Sequence, residues 1–124
     1  MSVSAGGWHT CGVRISGSVE CWGDDSHGQV SDSPSGNFES VSAGQLGNYS
    51  CGVTSSGTVE CWGRDDYGQV SDAPSGLFES VSAGIEHTCG VKTDGSVECW
   101  GRDTEGQTTP PSGTFKSVDA GRYY

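Results

Sequence analysis

Residues 11–23 read CGVRISGSVECWG, and the string returns with few changes as CGVTSSGTVECWG at residues 51–63 and CGVKTDGSVECWG at residues 89–101. Each copy places two strand-sized runs, rich in Val, Cys and Trp, around a three-residue loop ending in Gly17, Gly57 or Gly95. That pattern predicts a hairpin with glycine in the left-handed position. Arg14 then pairs with Ser18, Val13 with Val19, and Cys11 with Cys21. Counting outward from the hydrogen-bonded closing pair puts the cysteines at a non-hydrogen-bonded site, where Cα atoms lie about 4.5 Å apart. This is inside the range a disulfide spans. One bridge per hairpin is therefore expected, Cys11 with Cys21, Cys51 with Cys61 and Cys89 with Cys99, each contributing roughly 2.5 to 3 kcal/mol in the loop-entropy model. A free thiol pair filling space is the competing reading. A zinc site is the third, opposed by the spacing of ten and by the lack of a second Cys or His pair recurring with each hairpin.

Outward from the hairpins the repetition continues. SVSAG stands at Ser2, Ser40 and Ser80 and returns as SVDAG at Ser117, at spacings of 38, 40 and 37 residues. The markers divide the chain into repeats at 1–38, 39–78 and 79–115, with a partial fourth at 116–124. A period near 40 with several short β-type runs and SG, DG and PSG punctuation fits a propeller blade, and no apolar spacing of three and four suggests helices. Runs of the FESVSAG, HTCGV and SVECWG type are three strands, and the GQVSD segment is a candidate short fourth. The expected fold is all-β: a propeller segment of three blades, each of about four antiparallel strands, plus the first strand of a fourth.

The hairpin register also places the tryptophans. Trp22, Trp62 and Trp100 fall on the face opposite the cysteines, diagonal to Gly12, Gly52 and Gly90. Each indole is expected to lie across a bare glycine and fill the space between stacked blades. Glu20, Glu60 and Glu98 share that face, within diagonal reach of Arg14, Thr54 and Lys92, which offers an exposed ion pair in two of the three blades.

Bulk properties narrow the function. Sixteen acidic against six basic residues leave a net charge of −10, so the phosphate attraction behind nucleic-acid binding is reversed, and anionic membranes are disfavoured too. No segment is apolar enough to insert into a bilayer, and Met1 leads into strand-like sequence without a signal-peptide core. Three cysteine pairs with no odd cysteine point to an oxidising place, extracellular or at a cell surface. The acidic balance is also compatible with a high-salt setting, where a melting temperature that rises with salt is expected.

The order SVSAG, HTCGV, DG or SG, VECWG, then an acidic stretch before GQV resembles the repeat of the regulator of chromosome condensation family over essentially the whole chain. The resemblance implies a β-propeller, typically of seven blades. The best-known member is a nucleotide-exchange factor for a small GTPase and others serve as interaction modules, so function does not follow from the fold.

No catalytic, cofactor-binding or metal-binding set is expected. His9 and His87 share a place that Tyr49 holds in the middle repeat, and a repeated His beside a strand reads as a structural hydrogen-bonding residue. The loops at Asp24–Asp25, Asp65–Asp66 and Asp103–Glu105 lack the ordered ligand spacing of a dedicated calcium loop and read as solvated turns. The leading expectation is a structural and interaction module, not an enzyme. Three blades are too few to close, so copies are expected to associate head to tail, as a ring of two chains or a filament. The terminal strands carrying Ser2 and Val3, and Phe115 and Val118, would compete for one place or complete a blade in another copy. The alternative is a glycan-binding lectin using Trp8, Tyr49 and Tyr123, and a GTPase regulator stands third.

Overall fold

The computed structural model describes residues 2–45, 48–103, 106 and 108–121. Nine strands follow in order: β1 (Ser2–Ala5), β2 (His9–Val13), β3 (Val19–Gly23), β4 (Phe38–Ala43), β5 (Tyr49–Thr54), β6 (Val59–Gly63), β7 (Phe78–Ala83), β8 (His87–Lys92) and β9 (Val97–Gly101). They form three antiparallel sheets ordered β1-β2-β3, β4-β5-β6 and β7-β8-β9, one blade per repeat. There is no helix among the described residues.

The hairpins take the register derived from their loops. Cys11 pairs with Cys21, Gly12 with Glu20 and Val13 with Val19; the other two blades match residue for residue. Gly17, Gly57 and Gly95 have φ near +95°, +95° and +89°. Their conformation lets the amide of Gly17 reach the carbonyl of Arg14 at 2.8 Å while Arg14 donates to Ser18 at 2.9 Å.

Two strand expectations need correcting. The GQVSD segments are turns, not a fourth strand, because the amides a ladder would use are already committed. The Asp25 Oδ1 atom accepts from the amides of Val30 and Ser31 at 2.8 and 2.9 Å, and Asp65 does the same for Val70 and Ser71. Residues 116–121 are likewise not a strand, since no hairpin stands beside them to complete a ladder.

Each blade lays its cysteine face on the aromatic face of the next. Cys11, Val13 and Cys21 of the first blade pack against Phe38, Val41 and Trp62 of the second; Val53 of the second packs against Phe78 and Trp100 of the third. The inner strands β1, β4 and β7 approach so closely that a methyl group added at Gly6 or Gly44 would lie 2.6 or 2.8 Å from the carbonyl oxygen of Gly44 or Gly84. Burial in this chain therefore comes mainly from junctions between blades, which is how a low apolar content still makes a core.

Candidate interaction surface

An intact junction shows what each blade needs from its neighbours. The Nε2 atom of His9 lies 2.7 Å from Oγ of Ser50 in the next blade, and Sγ of Cys11 lies 3.5 Å from the same hydroxyl. At the second junction Thr88 takes the place of Ser50: its hydroxyl donates to the Tyr49 hydroxyl at 3.0 Å and lies 3.8 Å from Sγ of Cys51. The Tyr49 hydroxyl in turn donates to the His87 carbonyl at 2.6 Å. Trp62 and Trp100, almost wholly buried, donate Nε1–H to the carbonyls of Gln29 and Gln69 in the preceding blade, at 3.1 and 3.0 Å. Along the inner strands, Ser4 and Ser42 side chains each accept from the amide of Ala43 or Ala83 at 3.0 Å.

The two end faces lack these partners. On the first blade Val3 and Trp22 are 68% and 53% exposed, where their counterparts Val41 and Trp62 are 8% and 4% exposed. They border a groove of about 340 Å³ with Gly12, Val13, Arg14 and Glu20. On the third blade a cavity of about 190 Å³ opens between His87, Cys89, Val97 and Cys99 on one side and Pro110, Pro111, Phe115 and Val118 on the other. His87 is buried there, with no hydrogen-bond partner for either ring nitrogen. His87 and Cys89 occupy the positions that meet Ser50 and Thr88 at the intact junctions. At the intact junctions a hydroxyl-bearing residue of the next middle strand stands at this position, and the residue at that strand position in the first repeat is Thr10.

Burial without compensation holds the His87 imidazole below its ordinary pKa; burial does the same at His9, where the Asp24 carboxylate partly opposes it. Burial pushes Tyr49 well above its ordinary value, against the hydrogen bond from Thr88. All three groups are neutral near pH 7. The Ser50 hydroxyl that His9 meets is itself fully buried between the blades.

The cysteines of each expected pair have their sulfur atoms 2.05, 2.05 and 2.00 Å apart, with Cα separations of 4.1, 4.0 and 4.1 Å. The space nearest Gly52 and Gly90 is held by phenylalanine rings. A methyl group at Gly52 or Gly90 would lie 2.8 or 2.7 Å from the ring of Phe38 or Phe78. These phenylalanines, two residues before Ser40 and Ser80, fold over the glycines and meet Trp62 and Trp100 edge to face at 6.2 Å. Recurrence of Phe before each SVSAG-type strand except the first was the available signal. Gln29 and Gln69 also went unnoticed; both are fully buried, their side-chain oxygens accepting from the amides of His27 and Tyr67 at 2.8 Å.

Among the lectin candidates, Trp8 is 62% exposed but Tyr49 is completely buried between blades, and Tyr123 lies outside the described residues. Equivalent aromatic platforms are therefore not formed at Trp8 and Tyr49. The acidic loops spend Asp25 and Asp65 on their own backbone amides, as Asp103 does on that of Thr108 at 2.9 Å; Glu105 is outside the described residues. Arg14–Glu20 and Lys92–Glu98 form exposed or half-buried ion pairs.

Repeats of one blade each, stacked in this way, can be set beside known proteins. The regulator of chromosome condensation (RCC1) repeat model matches three times, at residues 2–29, 38–69 and 78–107. The chain belongs to the RCC1 repeat family. Solved structures similar to this RCC1 repeat chain include the ectodomain of the Physcomitrella patens receptor kinase CR4, at 33% identity and a TM-score of 0.80, covering 99% of this chain and 34% of that one. The CRINKLY WD40 ectodomain of the Arabidopsis thaliana receptor kinase ACR4 matches at 30% identity and a TM-score of 0.81, covering 98% and 44%. Yeast RCC1 bound to Kap60 shares the fold at 18% identity and a TM-score of 0.78, covering 98% and 39%. The chain thus spans between a third and a half of each. No curated protein sequence matches it.

Proposed function

We propose that this RCC1 repeat chain is a non-catalytic interaction module that associates head to tail with further copies of itself, two chains closing a ring of six blades. The cavity beside His87 and Cys89 carries the reading. It has the lining that receives a hydroxyl at both intact junctions, and a buried imidazole left unpartnered costs about 1 to 3 kcal/mol. Thr10 of a following copy supplies that hydroxyl, while the exposed Trp22 of that copy finds the cover that Trp62 has. Six blades fall within the four to eight that propellers use, and three do not. A rotation that fails to close would give a filament instead. The setting proposed is extracellular or at a cell surface, supported by the three hairpin cysteine pairs and by the likeness to two plant receptor ectodomains.

Light scattering across micromolar concentrations tests this directly. A mass of two chains, or a larger open series, is expected. A soluble, stably folded monomer throughout that range would remove the proposal.

A further inference from the structure

We propose that the junction between copies forms by strand exchange: residues 115–121 of one copy take the inner edge of the first blade of the next, in place of that copy's own β1. This rests on the head-to-tail reading and specifies which strand serves the contact. The slot in question already has an occupant. Ala120 donates its amide to Oγ of Ser82 at 2.9 Å, repeating the ties of Ala43 to Ser4 and Ala83 to Ser42 at 3.0 Å. Phe115 donates to the Gly95 carbonyl at 2.7 Å, as Phe38 does to Gly17 and Phe78 to Gly57 at 2.7 and 2.8 Å. Residues 115–121 are therefore docked on the third blade where the inner strand of a fourth would lie. A copy arriving to set Thr10 against His87 would bring β1 into the same space. Two strands meet one slot.

The outcome follows from what each strand brings. β1 offers four residues, paired as Ser2 with Val13, Val3 with Gly12, Ser4 with Cys11 and Ala5 with Thr10. Ser117 to Ala120 can repeat those four pairings. The C-terminal segment adds Phe115, and Phe38 and Phe78 show its use: the ring closes over the glycine of the middle strand and presents an edge to the tryptophan. In the first blade that place is the open groove over Gly12 beside Trp22. It also adds the Thr114 carbonyl, because the amides of Ser55 and Thr93 bond the carbonyls of Asn37 and Leu77 at 2.9 and 3.1 Å. The matching donor in the first blade is the amide of Ile15, a residue 87% exposed. Exchange keeps the ladder, fills the groove and adds a backbone hydrogen bond, while β1 is released. This is domain swapping of an element that the repeat supplies twice.

Sedimentation velocity on the full chain, a chain lacking residues 1–6 and a chain lacking residues 115–124 separates the possibilities. Removing 1–6 is expected to keep or tighten association, since a competitor is gone. Removing 115–124, or replacing Phe115→Ala in the full chain, is expected to weaken it by about tenfold or more, the loss typical of a buried aromatic anchor. Should the chain without 1–6 fail to fold by near-UV circular dichroism, Val3→Asp weakens β1 in place and serves the same comparison. Association lost on deleting 1–6 and kept on deleting 115–124 would overturn the exchange yet leave head-to-tail assembly standing. A monomeric full chain would overturn both.

Discussion

Trp22 and Trp62 hold the same position in consecutive repeats and differ in whether a blade stands before them. Trp62 is 4% exposed, hydrogen-bonded through its indole to Gln29 and set edge-on to Phe38; Trp22 is 53% exposed. One side chain therefore has two energetic roles along one chain. Trp62→Ala opens a cavity in the first junction and is expected to cost about 3 to 5 kcal/mol in urea denaturation, the usual range for a buried large aromatic. Trp22→Ala is expected to stay within about 1 kcal/mol of the parent under dilute, unassociated conditions. Its cost should appear in self-association instead. Equal destabilisation by the two changes would mean that Trp22 is covered within a single chain. Strand alternation alone puts both tryptophans on the same hairpin face, and the structure covers Trp62 with the preceding blade while leaving Trp22 open. The phenylalanine cover over Gly52 was not legible in the sequence, because Phe38 lies fourteen residues from that glycine and reaches it only when β4 pairs with β5.

Within the hairpin, the element that repeats most faithfully, local rules suffice. A glycine at φ near +95° closes the loop, the register follows by counting, and opposing cysteines land where their side chains meet. Covalent linkage within each hairpin predicts that unreduced protein, unfolded in denaturant, offers no thiol to an alkylating reagent, and that reductant exposes six. Six reactive thiols before reduction would rule the bridges out. Replacing Cys51 and Cys61 together by Ser should lower stability by roughly 2 to 3 kcal/mol, the loop-entropy contribution of so short a closure. The middle pair is the informative one, since Cys51 is fully buried against the third blade. The GQVSD element shows where counting fails. Its alternation suits a strand, but Asp25 and Asp65 reach forward to bond the amides of Val30, Ser31, Val70 and Ser71, and a side chain that captures backbone donors replaces a ladder with a turn.

For the molecule as a whole, stability and assembly meet at buried imidazoles on the junctions. His9 and His87 are held below the ordinary histidine value of 6.5 by burial, with Asp24 opposing at His9 and Asp119 on the wall of the cavity that His87 lines. The folded chain disfavours the proton that an unfolded chain accepts near pH 6.5. Stability is accordingly complete above that pH and lost as pH falls below it toward the depressed folded values. A melting temperature that drops between pH 7 and 5 is expected, with association weakening in the same window. Asp25 and Asp103, whose pKa values are lowered by backbone amides, contribute their loss only at lower pH. The double change His9→Gln with His87→Gln should flatten the drop, and an unchanged slope would assign it elsewhere. The hairpin register and the cysteine pairing were determined by the sequence itself, because each depends on neighbours within about a dozen residues, and the repeat period and all-β blades were read from strings that recur about every 40 residues. Which copy of each repeated residue is buried was decided by the tertiary structure alone. Tyr49 vanishes between blades, Trp22 stays open and His87 waits without a partner, since position in the stack, and not local sequence, sets what covers a side chain.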